Sequence, residues 1–385
     1  MRVLFTFAGG AGHAEPLVPI ARAALAAGHD VAFAGRPWVV ARLVARGFAG
    51  FPDTGDPVEE PTAVTPLVEF DAAREDRLLR RGFAWFHARR RATVIIELCE
   101  RWTPDVIVCD DVDFGAMVAA ERSGVPHANV LVIAAGALVR PAVVAGPLNL
   151  VRAEHGLPPD PDVRMASRDL VLSPMPPSLR DPAFPLPATA HSIRPGSLAA
   201  GDEAPEWLEQ LPDRPTVYFT LGTVFDMESG DLIERALAGL QELPVNVVAT
   251  FGERIDPGPQ PPNVRIERHV PHAALFPRCD AVVSHGGSGT VIDALAAGLP
   301  QVVLPMGADQ PPNAARVEVL GAGVVLDPLR ATPAAIGAAV RTVLEQPSYR
   351  AAAERIRSET LALPDAAHAV GLLERLVSAG SGAGA

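Results

Sequence analysis

Three short stretches of this 385-residue chain hold the side chains best suited to chemistry. The densest is His285-Gly-Gly-Ser-Gly-Thr290, with Asp309-Gln310 following after a helix-like segment and a strand. The apolar run "DAVVS" precedes it and "VIDALAAG" follows, so the hexapeptide is a strand-to-helix turn. A helix N-terminus carries unpaired N–H groups and partial positive charge. Gly286, Gly287 and Gly289 let an anion reach that backbone, and Ser288 and Thr290 add hydroxyls, so the turn suits phosphate. Tight turn geometry alone also accounts for such glycines. The absence of GxxxxGKS excludes a kinase or ATPase loop. The glycines do not sit at the first strand ahead of an acid ~20 residues on, which weakens a dinucleotide reading. The second stretch, "AGGAGHAEP" (8–16), puts His13 in a turn after the first strand; the third, "PDVIVCDD" (104–111), ends a strand in Asp110 and Asp111. A histidine oriented by a carboxylate is the pair that takes a proton from a hydroxyl near neutral pH. Helix N-capping is the plainer use of such acids, and it serves for Asp111 or Asp113.

These residues need a frame. Short apolar runs alternate with helical periodicity: 2–8, 30–35, "GFAGFPD", 104–111, 127–134, and 169–174 as the last strand of the first half. A helix starting near Pro16 carries Leu17, Ile20, Ala24 and Leu25 on one face. Alternation of this kind predicts βαβ units and a parallel sheet. From about 181 to 215 the chain is rich in Pro and Ala, which marks a domain crossing. A second series then begins with "TVYFTLGT" (216–223). The expected organisation is α/β with two tandem Rossmann-like domains, 1–195 and 216–360, joined by a linker at 196–215. Residues 361–385 form a C-terminal helix returning to the first domain and a flexible tail. Ligands of such pairs bind in the cleft between the sheets.

Composition narrows the classes. A net charge of −12 argues against a nucleic-acid partner, which needs clustered Lys and Arg. Cys99, Cys109 and Cys279 show no CxxC spacing and read as reduced core residues of a cytoplasmic protein. No apolar run reaches the ~20 residues of a membrane span. No cluster has zinc spacing, and no DxD segment lies beside the glycine turn, so no metal or other cofactor is expected.

The stretch "HGGSGTVIDALAAGLPQVVLPMGADQPPNA" (285–314) resembles the nucleotide-sugar signature of family 1 glycosyltransferases of the GT-B fold, bacterial antibiotic, macrolide and polyketide branch. "HVPHAALFPRCD" (269–280), "GAGVVL" (321–326) and the GHxxP-like stretch around His13 are similar to the family as well. The resemblance implies an inverting transferase that moves a hexose or deoxyhexose from a dTDP or UDP donor to a hydrophobic small-molecule acceptor. It implies that His285 and residues Gly287, Ser288, Gly289 and Thr290 hold the diphosphate, with Thr223 contacting it as well. It further implies that Val270 binds the base through its backbone and that Asp309 and Gln310 hold sugar hydroxyls. His269 stands where the family often stacks Trp on the base. Asp293 stands where it often has Glu for the ribose, and its shorter reach leans toward dTDP. His13 becomes the general base and Asp110 its orienting carboxylate. Helices at 56–101 are expected over the acceptor pocket, with Phe83, Trp85 and Phe86 as lining.

The six arginines of 77–91 leave contact with an acidic carrier protein or a membrane surface as a lesser option. A lipid-linked sugar transferase, a nucleotide-sugar epimerase and a non-catalytic activator that binds a nucleotide sugar are the competing readings. Monomer and homodimer are both compatible with the sequence.

Overall fold

A computed structural model describes residues 1–53, 63–196, 204–222, 225–252, 255 and 258–382. Its first sheet contains β1 (Arg2–Thr6), β2 (Asp30–Gly35), β3 (Ala49–Pro52), β4 (Val106–Asp110), β5 (His127–Val130), β6 (Leu170–Ser173) and β7 (Ala190–Ser192). The second contains β8 (Thr216–Thr220), β9 (Asn246–Thr250), β10 (Val264–Glu267), β11 (Ala281–Ser284), β12 (Gln301–Val303) and β13 (Gly323–Val325). Strand orders are β3-β2-β1-β4-β5-β6-β7 and β10-β9-β8-β11-β12-β13, and neighbouring strands pair in parallel. Helices on both faces bury β4, β5, β8 and β11 along their whole length. That is why these strands read as continuous apolar runs and not as an alternation. The domain pair is α/β, as the alternating pattern predicts.

In each sheet the winding direction reverses at the first strand, between β1 and β4 and between β8 and β11. At such a reversal the flanking loops run to opposite sides and leave a crevice beyond the carboxyl ends of the strands. His13 follows β1 and Asp110 ends β4. Gly222 follows β8 and His285 follows β11. Both chemical stretches therefore lie at switch points.

Two expectations change. Strand β7 adds to the first sheet inside the Pro-rich stretch, so β6 is not its last strand. Three residues at a sheet edge are too short to show periodicity. The run 127–134 is strand only to Val130, because Leu131 to Ala135 leave the sheet to reach the second domain.

The domains share an apolar cluster in which Leu131, Met175 and Leu179 meet Val291, Leu295 and Ile356. Arg316 donates across to the Ser178 carbonyl at 2.6 Å. The C-terminal helix Ala366–Gly382 sets Ala369, Val370 and Leu373 into the core of the first domain beside the helix Val18–Ala26. Leu373 is fully buried, so truncating it to Ala is expected to cost about 2–5 kcal/mol. Among the described residues, no helix is long and apolar enough to cross a membrane.

Candidate functional site

The first switch point is built around Asp110, fully buried at the end of β4. Its Oδ2 accepts from the Ala8 N–H at 2.9 Å and faces His13 Nδ1 at 3.2 Å, while Oδ1 accepts from the Val112 N–H at 2.8 Å. A carboxylate held on three sides cannot swing away from the imidazole. Gly9 makes the ring's position possible, since a Cβ there would lie 2.0 Å from His13 Cδ2. Burial lowers the His13 pKa, but Asp110, through its charge and the hydrogen bond, with Asp111 and Asp309 behind it, outweighs burial. The net direction is upward from the ordinary 6.5. With Nδ1 directed at Asp110, Nε2 is the nitrogen left for a substrate, and a quarter of the side chain remains exposed.

The neighbouring acids have separate tasks. Asp113 caps the helix Phe114–Ser123 through the Ala116 N–H and takes a two-pronged contact from buried Arg91 at 2.6 and 2.7 Å. Arg91 also holds Asp53 at 2.6 Å, which ties the long helix Ala88–Trp102 to the end of β3. Asp111 caps nothing. It accepts from the Val132 N–H at 3.2 Å, and burial, then Asp110, push its pKa up to about 7.

The second switch point carries a histidine in the opposite condition. His285 is nearly buried, and burial pulls its pKa down to about 4 despite Asp309 and the Thr220 carbonyl. The imidazole is therefore neutral at pH 7, and its Nδ1 is buried without a partner. An unsatisfied buried polar atom costs about 1–3 kcal/mol, so one in a cleft points to a missing ligand. Gly222 and Gly287 crowd this ring, and a Cβ on either would lie 2.8 or 2.5 Å from it. Gly287 also precedes the helix Ser288–Ala296, whose first N–H, at Ser288, goes to Asp309 Oδ2, so that Gly289 and Thr290 supply the next N–H groups of this terminus. The single N–H of the neutral ring is used on the Thr220 carbonyl, so Nδ1 is an open acceptor, and it is the adjoining helix N-terminus that suits an anion.

The other expected residues are placed unevenly. Gly289 is exposed and Thr290 half-buried on the first turn of that helix. Val270 is buried, and its backbone makes no hydrogen bond to another described residue, which leaves it open to a base edge. His269 is exposed. Thr223 lies outside the described residues. Asp293 is held by His272 Nδ1 at 2.7 Å, and His272 is itself stacked on Phe276 with centroids 4.3 Å apart. Ser288 is committed elsewhere, and Gln310 is committed through its oxygen alone. The Ser288 hydroxyl and N–H both donate to Asp309 Oδ2. Gln310 is buried, and its Oε1 accepts from the Met306 and Gly307 N–H groups, bracing the turn that presents Asp309. Phe83 stacks on His13 with ring centroids 6.2 Å apart. Trp85 packs against the core with Arg89 over its ring, and Phe86 is 60% exposed with its ring edge-on to His87; of the three only Phe83 stacks on His13. The segment Leu79–His87 is π-helical, and its winding departs from the 3.6-residue period that sequence spacing assumes.

Sequence spacing misses the contacts between domains. The Ala134 N–H donates to Ser288 Oγ at 2.8 Å and the Ala135 N–H to Asn313 Oδ1 at 3.0 Å. Backbone groups carry no residue-type signal, so these partners are invisible before folding. The outcome is one cleft in which His13 from the first domain and Asp309 from the second lie close enough to interact electrostatically.

Residues 234–376 match the family model described as "Erythromycin biosynthesis protein CIII-like, C-terminal domain". Over 98% of its length the chain is 30% identical to the 10-deoxymethynolide desosaminyltransferase of Streptomyces venezuelae, covering 97% of that protein. It is 31% identical to the 4'-demethylrebeccamycin synthase of Lentzea aerocolonigenes, covering 98% of this chain and 99% of that one. The crystal structure of the glycosyltransferase VinC in complex with dTDP superposes with a TM-score of 0.77 at 27% identity, covering 98% of this chain and all of the other.

Proposed function

Because the chain belongs to the antibiotic-type branch of the family 1 glycosyltransferases, with the GT-B fold, we propose that it is an inverting enzyme using a dTDP-sugar. The acceptor is the hydroxyl of a small hydrophobic natural product. The observation that carries this reading is the His13–Asp110 pair opening onto the same cleft as the His285 turn and Asp309.

In this mechanism His13 Nε2 takes the acceptor hydroxyl proton as that oxygen attacks the anomeric carbon. Asp110 holds the ring by Nδ1 and stabilises the imidazolium that forms, help that typically contributes 10²- to 10⁴-fold. The bond to the nucleoside diphosphate breaks from the opposite face, which inverts the carbon. Negative charge grows on the departing diphosphate, where the N–H groups at Gly289 and Thr290 and the helix dipole receive it, with the uncharged His285 ring as the wall beside them. Because these donors are protein groups, we propose that no divalent ion is needed. Asp309 takes a sugar hydroxyl and the Val270 backbone reads the base. Asp293, short and held back by His272, reaches fewer ribose hydroxyls than a Glu would, which favours dTDP over UDP. Phe83, stacked on His13, forms the acceptor-side wall nearest the base.

The test follows one dTDP-hexose and one UDP-hexose with a panel of polyketide and aromatic hydroxyl acceptors, reading the anomeric configuration of the product by NMR. Inverted glycoside with dTDP donors used at least as well as UDP donors is the expected result. Retained configuration, a strong UDP preference, or donor isomerisation without acceptor would each overturn the reading.

A further inference from the structure

Asn313 is fully buried one turn into the helix Gln310–Val319, and its amide reaches four places at once. Nδ2 lies 3.0 Å from the Gly286 carbonyl, 3.0 Å from Ser288 Oγ and 3.0 Å from Asp309 Oδ2. Oδ1 accepts from the Ala135 N–H of the first domain at 3.0 Å. Ser288 completes the set: its hydroxyl donates to Asp309 Oδ2 and accepts from the Ala134 N–H at 2.8 Å, and its own N–H reaches the same Oδ2 at 3.1 Å.

Every one of these contacts to Asp309 falls on Oδ2. Oδ1 accepts from no described residue, so the carboxylate is gripped by one oxygen and presents the other. A carboxylate has about four acceptor sites, and concentrating the protein's donors on one oxygen fixes both its rotamer and its open direction. The grip is also shared between the domains. Two backbone N–H groups of the loop after β5 terminate on the two side chains that hold Asp309, so moving that loop away would leave buried polar groups unpaired.

We propose that Asn313, working with Ser288, is a positioning residue for the donor sugar. It sets Asp309 so that Oδ1 meets a sugar hydroxyl, and it makes that setting depend on the first domain being in place. The proposal rests on the reading of Asp309 as a sugar contact. Asn313 touches the diphosphate turn only at the Gly286 carbonyl and Ser288, and contacts neither the Gly289 and Thr290 N–H groups nor Val270, so sugar binding should depend on it more than nucleotide binding does.

The test is calorimetric titration of the full chain with dTDP and with dTDP-glucose, for wild type, Asn313→Ala and Asn313→Asp. Binding of dTDP serves as the control for folding and for the shared turn, and should weaken clearly less than the glucosyl increment does. The extra affinity contributed by the glucosyl group should fall roughly tenfold in Asn313→Ala, the scale of a lost buried hydrogen-bond partner. Asn313→Asp keeps the shape and the acceptor for Ala135 but sets a second carboxylate against Asp309. It should lose at least as much at neutral pH and recover toward about pH 5, where a shared proton restores a donor. A merely structural lesion would weaken dTDP and dTDP-glucose in parallel and show no such recovery, and that result would overturn the proposal. Survival of the glucosyl increment in both variants would overturn it too. If wild type gains nothing from the glucosyl group, the sugar role of Asp309 fails. The grip itself is then judged in a crystal structure of Asn313→Ala, where an unmoved Asp309 carboxylate and an unmoved 134–135 loop would refute it.

Discussion

His13 and His285 sit on opposite sides of the same kind of switch point, His13 after β1 and His285 after β11, the counterpart of β4, and their pKa values move in opposite directions. His13 has a buried carboxylate at 3.2 Å, and its pKa rises. His285 has glycines, a helix N-terminus and no carboxylate contact of its own, and its pKa falls to about 4. Burial acts in the same direction on both. What separates them is whether the neighbouring strand ends in an acid: β4 closes with Asp110, whereas β8 closes with Thr220 and runs into Gly222. The two sides of one switch-point plan thus carry an imidazole made more basic for moving a proton and a neutral one that lies near a phosphate site without bringing a charge of its own.

The comparison breaks most visibly at His13. His13→Ala should lower turnover by about 10²-fold or more while dTDP affinity stays nearly constant, measured by steady-state kinetics and calorimetry. Turnover near wild type would remove His13 from the chemistry. Asp110→Asn should come next, at about tenfold, and it carries a pH signature. The base must be unprotonated to work, so activity falls as pH drops through the His13 pKa. Because Asp110 raises that pKa above 6.5, the acid limb of the kcat/KM profile should lie above 6.5 in wild type and move to lower pH in the variant. An unmoved limb would mean that another group sets it.

His285→Ala sharpens the other half. It should weaken dTDP roughly tenfold, the value of one buried partner, and reduce turnover at saturating donor far less than His13→Ala does. Equal loss of turnover in the two variants would erase the division of labour drawn between them. Asp111→Asn should change turnover by only a few-fold. Its carboxyl titrates near 7 in the fold against 3.8 ordinarily, so its ionised form is disfavoured when buried. Removing the charge should raise Tm most at pH 8, less at pH 5, where only the unfolded state is ionised, and little below pH 3.8, where both states are neutral. A larger kinetic loss than in Asp110→Asn would reverse the assignment of the two acids. The smallest expected effect is that of excess EDTA, which should leave the rate unchanged. Loss of activity that magnesium or manganese restores would transfer the diphosphate charge from the helix terminus to a metal.

Much of this was legible before folding, because some signals are local. Continuous apolar runs ending in glycine turns specify parallel strands and place His13 and His285 at carboxyl ends of the sheet, since a strand's end is a property of a few consecutive residues. The order of residues from His285 to Ala314 was sufficient to indicate the family. Local signals stop at partnership. Asp110 and Asp111 are adjacent and alike in sequence, yet alternation along β4 and the turn after it send one carboxylate to His13 and the other to the Val132 N–H. Phe83, Trp85 and Phe86 look equivalent in a row, but the π-helical winding of Leu79–His87 brings only Phe83 onto the His13 face. Ser288 looks like a ligand donor, but its hydroxyl and N–H are spent on Asp309, while Gln310 spends only its oxygen, on the backbone that presents Asp309. The sequence by itself determined the strands, their turns and the residue types delivered to the cleft. The tertiary structure alone decided which polar group meets which, because hydrogen bonding and desolvation depend on distances between atoms more than a hundred residues apart along the chain, such as the Ala135 N–H and the Asn313 side-chain Oδ1.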